Sequence, residues 1–119
     1  MESSILISTK KILGVAQEYT AFDLDIITHI NAAFSTLCQL GVGPTEGFAI
    51  EDEADIWDDF IVPSNQMNMV RTYIYLKTRM FFDPPTTSFH IDAMNKQIAE
   101  LEWRLNVFRE VQLPNGEVA

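Results

Sequence analysis

Two histidines, one cysteine and a run of carboxylates are the residues of this chain whose types could carry chemistry, and their spacing limits what that chemistry can be. A nucleophilic or metal-ligating Cys38 would have to be a thiolate, held by a nearby cation or a second ligand. It sits instead in an apolar stretch with Leu37 and Leu40, which predicts a buried structural thiol. His29 and His90 are far apart in sequence, and neither stands in a His-x-x-x-His spacing or beside a cysteine pair of the kind that zinc requires. Solvated or capping roles are expected for both. Glu46, Glu51, Asp52, Glu53, Asp55, Asp58 and Asp59 follow one another without an intervening cation, which invites a calcium reading. The run lacks the alternating Asp-x-Asp-x-Asp-Gly order that wraps a loop around that ion. With no Gly-rich phosphate loop and no nucleophile elbow either, the expectation is a protein without catalytic residues, cofactor or metal.

Charge says more than reactivity. The formal net charge is -9, and its distribution is uneven: residues 1 to 65 hold eleven acids and two lysines, whereas residues 66 to 119 hold six of each sign. Clustered Lys and Arg, which a reader of nucleic acid uses to neutralise phosphates, are missing. A helical DNA-packaging or regulatory protein that binds nucleic acid is therefore the alternative reading, disfavoured by the cations. At 119 residues the chain is expected to form one domain over residues 1–111, with a flexible C-terminal tail at 112–119 containing Pro114 and Gly116. No signal-peptide run or bilayer-length apolar segment is evident, which predicts a soluble chain made in a reducing cytoplasm.

The elements that would position any functional surface are helices set apart by turns. Ser3 or Ser4 is placed to cap a short helix ending near Leu13, with Gly14 as its terminator. Thr20 or Asp23 can cap a second helix, with Ile27, Ile30, Phe34 and Leu37 on its apolar side and Gly41 at its end. Beyond Pro44, Phe48 and Ile50 alternate as in a short extended piece, and Asp52 to Phe60 reads as a short acidic helix with Ile56, Trp57 and Phe60 inward. Met69, Val70, Tyr73, Leu76 and Met80 recur at helical spacing in a central helix from Met67 to Phe82, broken by Pro84 and Pro85. Ser88 is positioned to cap the last helix.

That last helix, to Val111, has apolar residues on two faces. Ile91, Met94, Ile98, Leu101, Leu105 and Phe108 step by three or four and form a stripe that needs a core. Ala99, Trp103 and Val107 form a second row, about half a turn away at roughly 100° per residue. A small monomer buries one such face readily. The second row is expected either to cover the N-terminal helix within the subunit or to contact another chain.

Taken together, DLDIITHINAAFSTLCQLGVG (Asp23 to Gly43), GPTEGF (Gly43 to Phe48), Trp57 in IWDDF, VRTYIYLKTRMFFDPP (Val70 to Pro85) and QIAELEWRLN (Gln97 to Asn106) resemble the head-tail connector, or adaptor, proteins of tailed bacteriophages. The resemblance spans residues 4 to 111. It implies an all-α bundle of three long helices plus short ones, assembled as a ring, usually twelve-fold, beneath the portal protein. Such a ring sits in the virion at the head-tail junction, after assembly in the host cytoplasm, and joins the DNA-filled head to the stopper or tail-completion protein. Members of the family have no enzymatic activity, so no catalytic residue carries over. Within that frame Ala99, Trp103 and Val107 are subunit-interface candidates. Glu51, Asp52, Glu53, Asp55, Asp58 and Asp59 are candidates to line a channel through which DNA passes without specific binding. Leu113, Pro114 and Val118 are candidates for a tail that binds the portal.

Overall fold

The computed structural model describes residues 3–61 and 65–111, the last four of these by their backbone alone. Four helices follow in order: α1 (Ile5–Leu13), α2 (Asp23–Gln39), α3 (Gln66–Phe82) and α4 (Ser88–Val111), with a single 3-10 turn at Trp57–Asp59 between α2 and α3. The fold is all-α, and among the described residues the only β pairing is an isolated bridge between Ser4 and Ile56. α3 lies at the centre, packed extensively against both α2 and α4, while α1 rests on α2 and α3.

Local chemistry explains the boundaries. Ser4 accepts the Ile7 amide at 3.2 Å and so caps α1, and Gly14 ends it in the left-handed region at φ 79°. α2 begins differently from expectation. Phe22 occupies its N-cap position without a side-chain bond, and Thr20 contributes only its carbonyl, to Asp23 N–H at 3.2 Å. The Asp23 carboxylate is drawn instead to Lys10 Nζ, 2.8 Å away. At the other end Val42 N–H reaches Leu37 O at 2.9 Å, which satisfies one of the carbonyls a helix terminus leaves open. Ser88 is the first residue of α4 and not its cap; the preceding Thr87 Oγ1 accepts His90 N–H at 3.3 Å and lies 2.6 Å from His90 Nδ1.

The segment after α2 also departs from expectation. Residues 52 to 60 yield only the 3-10 turn, because their aspartates bind backbone amides that a helix would have used otherwise. Asp55 Oδ2 accepts Glu51 N–H at 2.7 Å and Asp52 N–H at 3.3 Å, and Asp52 Oδ1 accepts Ala54 N–H at 2.8 Å. Trp57 and Phe60 point inward as expected, whereas Ile56 is only half-buried. Phe48 and Ile50 form no strand; Ile50 is held by Asn31, whose side chain accepts its N–H at 2.7 Å and donates to its carbonyl at 3.1 Å.

The core joins Ile5 and Leu6 of α1, Ile26, Ile30, Phe34 and Leu37 of α2, Val70, Tyr73 and Ile74 of α3, and Ile98 and Leu105 of α4. An aromatic group under the connecting segment completes it: Phe34 lies against Phe60 at 4.6 Å and Phe48 at 4.9 Å between ring centroids. Gly43 is fitted against that group. Its φ is +87°, and a Cβ there would stand 2.4 Å from Phe60 Cε1. Gly14, with φ +79°, has open space around the same position. Gly14→Ala should therefore cost about 1 kcal/mol for backbone strain alone, and Gly43→Ala roughly 3 kcal/mol, because a buried ring must also move. Urea denaturation of the two variants measures the difference; equal losses would show that Phe60 gives way without cost.

Candidate subunit-contact surfaces

α4 owes its two-faced character to its position. Its inner stripe is seated chiefly on α3, with Ile98 and Leu105 buried and Met94 and Leu101 packed at the margin. Among the described residues no other helix of the bundle makes a substantial contact with it. On its other face Ala99 is exposed, Val107 is half-buried, and Trp103 leaves 67 % of its surface to solvent. α1 packs on α2 and α3.

The outer face is held in register by a bond on the inner side. Tyr73 Oη, from the middle of α3, donates to Glu102 Oε2 at 2.7 Å, one residue before Trp103. Burial pushes the Tyr73 phenol well above the ordinary tyrosine value, and the hydrogen bond and negative charge of Glu102 push it the same way. Along the exposed face Asp92, Lys96, Glu100 and Arg104 alternate in sign at intervals of four, a spacing at which side chains are neighbours.

The acidic residues lie on the segment that precedes α3. Glu51, Asp52, Glu53, Asp58 and Asp59 are exposed and Asp55 is half-buried. They are not equivalent. Asp52 and Asp55 spend carboxylate oxygens on the turn itself, and Asp59 Oδ2 makes a longer contact, 3.5 Å, with Ile56 N–H. Glu51, Glu53 and Asp58 are the charges this turn presents outward. Trp57 fastens the segment to the bundle: its indole N–H donates to Ser8 Oγ at 3.0 Å, and the Arg71 guanidinium lies 4.9 Å from its ring centre. The tail candidates Leu113, Pro114 and Val118 lie outside the described residues.

The reactive residues are occupied structurally. Cys38 is half-buried rather than buried, and partial burial raises its thiol above the ordinary value, opposite to the direction a nucleophile needs. His29 stacks on Phe81 at 5.8 Å between centroids. Among the described residues no group of three or more His, Cys, Asp or Glu is placed to hold a metal ion, and no helix is long and apolar enough to cross a membrane.

The decisive comparison covers nearly the whole chain: residues 5–112 match the family described as phage connector protein. The chain belongs to the phage connector family. No curated protein and no solved structure matches it. Family membership makes the molecule a bacteriophage connector, and it directs attention to the exposed sides of the bundle.

Two features of the connector gave no sequence signal. Lys10 is 2 % exposed, and its amine donates to Gln17 O at 3.0 Å and Tyr19 O at 2.7 Å in addition to pairing with Asp23. It fixes the turn between α1 and α2. Two clefts flanking α1, one of about 430 Å³ bordered by Lys11, Ile12, Arg71 and Tyr75 and one of about 350 Å³ bordered by Leu6, Ile7, Lys10 and Glu51, depend on packing between elements remote in sequence. One consequence of the Tyr73 environment is measurable directly. Because its folded-state pKa lies above the unfolded value, the folded chain retains a proton that the unfolded chain releases, so this contribution to stability is lost as pH rises above about 10. Tyr73→Phe should flatten the alkaline fall in stability while costing about 1–2 kcal/mol at neutral pH. Urea midpoints measured from about pH 8 to 11 test this; an alkaline slope unchanged by the substitution would contradict it.

Proposed function

We propose that this connector is a mechanical adaptor: a ring, twelve-fold as is usual for the family, that sits beneath the portal at the head-tail junction, extends the DNA channel and docks the stopper or tail-completion protein. Residues 1–111 act as the single connector domain and residues 112–119 reach the portal through Leu113, Pro114 and Val118. The observation that carries the reading is the uncovered face of α4, where an exposed tryptophan is aligned with Ala99 and Val107 on a helix whose other face is already committed to the core. A subunit in a closed ring touches two neighbours through two different patches, and an exposed apolar row is the type of surface such a contact uses. No residue acts chemically in this role.

Loss of a central interface tryptophan commonly costs about 2 kcal/mol or more, whereas an exposed residue contributes little to its own fold. Trp103→Ala should reduce ring formation on the cognate portal by roughly thirtyfold and leave monomer unfolding within about 0.5 kcal/mol of the parent. In electron micrographs of the protein mixed with portal, a chain ending at Val111 should be captured poorly. Equal loss of folding and assembly in Trp103→Ala would return the indole to a structural role within the subunit.

The acidic segment supports a second part of the proposal. Glu51, Asp52, Glu53, Asp55, Asp58 and Asp59 give each subunit a negative surface, and a negative surface near the channel discourages passing DNA from adhering. Replacing several of these carboxylates by lysine should slow genome release from assembled particles at low salt, with recovery at high salt as the interaction is screened. Normal release under both conditions would place these residues away from the DNA path.

A further inference from the structure

Aromatic side chains collect where the start of α2 meets the end of α3. The Tyr19, Phe22 and Phe82 rings follow one another edge to face, with 5.4 Å between centroids at each step. Phe81, the residue before Phe82, stacks on His29 and lies 5.8 Å from Lys77 Nζ. Tyr19, Phe22 and Phe81 are 50, 42 and 61 % exposed. At roughly 150–250 Å² per ring they leave on the order of 300 Å² of apolar surface to solvent, a patch size that often marks a contact site. Lys77 is half-buried beside it: its amine lies over the Tyr73 and Phe81 rings and forms no ion pair among the described residues. The outer face of α4 carries a matching set. Glu100 stands three residues before Trp103, hence on the same side of the helix, and it too is exposed and without an ion pair among the described residues.

We propose that the patch of Tyr19, Phe22 and Phe81 receives the α4 outer face of a second copy of this chain, with Trp103 laid on the rings and Glu100 set against Lys77. The proposal rests on the ring reading above and supplies its second contact patch. A head-to-tail ring needs two different surfaces that complement each other. Here α3 separates them: Phe81 turns toward α2, where it meets His29, and Trp103 lies on the side of α4 away from α3. Charge selects the same occupant. Each copy carries a net charge of -9, so acidic surfaces repel one another and a contact must set carboxylates against cations. Glu100 brings a carboxylate with a large exposed ring beside it, which is what an aromatic patch holding one amine accepts. Segment 51–60 brings more carboxylates, but its aromatic residues Trp57 and Phe60 are buried, so it has no exposed ring to offer. An indole on exposed rings gains edge-to-face contact, and excluding water there strengthens the attraction between the Lys77 amine and the incoming carboxylate.

The test combines Phe81→Ser with Trp103→Ala and, separately, Lys77→Glu with Glu100→Lys, counting rings by native mass spectrometry of the free protein and by electron microscopy on cognate portal. Phe81, Trp103 and Glu100 are exposed, so thermal unfolding should be unchanged in their variants. Phe81→Ser alone should form roughly tenfold fewer rings. Added to Trp103→Ala it should lower the yield by less than about threefold further, because both substitutions remove one contact; losses that multiply would overturn that contact. Glu100→Lys should cost about fivefold, and its combination with Lys77→Glu, which reverses the pair, should recover to within about twofold of the parent at equal salt. Absence of that recovery would overturn the pairing of Glu100 with Lys77, and should Lys77→Glu fail to fold, the Phe81 and Trp103 combination decides alone. Parent-like rings from Phe81→Ser would overturn the docking contact and leave the ring reading standing. Rings intact with only portal capture lost would overturn it too, and would assign the patch to the portal. Failure of the parent itself to form rings, free or on portal, would overturn the ring reading and this contact together.

Discussion

The Trp57 indole joins parts of the chain that are distant in sequence, and the outer surfaces depend on where it is held. It is fully buried, donates to Ser8 of α1, meets Tyr75 of α3 edge-on at 5.8 Å and lies 6.2 Å from Phe34 of α2. Its backbone N–H also reaches Ser3 O at 3.1 Å. A buried indole with its one donor satisfied combines a large apolar area with a fixed direction. Without that anchor the acidic segment would have no defined position relative to α1, and the two flanks of α1 would not be distinct.

The arrangement of α3 has the complementary effect on α4. Because α3 occupies the centre, α4 buries one stripe on it, and among the described residues no other helix packs extensively against α4. The Tyr73 to Glu102 bond then sets the rotation of α4 about its axis, which determines that Trp103 faces outward. The two faces of one helix thereby differ: Ile98 and Leu105 are buried in the core, whereas Ala99 and Trp103 are exposed and Val107 is half-buried.

Much of this was legible in the residues. Ser4 and Gly14 delimit α1 through local bonds, Pro84 and Pro85 follow the end of α3, and both faces of α4 emerge from spacing alone, since all depend on neighbours within a few residues. The start of α2 was not legible, because Asp23 is satisfied by Lys10, thirteen residues away, and not by its own helix terminus. Residues 52 to 60 misled for a related reason: their apolar positions suit a helix, but aspartate side chains capture the amides first. The clefts beside α1 were invisible because Arg71 and Tyr75 approach Lys11 and Ile12 only through tertiary packing.

The central claim is that this connector works as a ring whose subunits meet through faces the bundle leaves open. Electron cryo-microscopy of the head-tail junction in mature particles tests it most directly. The expected map shows a closed ring of this chain between portal and tail, with Trp103 of every subunit buried against an adjacent protein. A junction lacking the chain, or a ring in which every Trp103 faces solvent, would contradict the account.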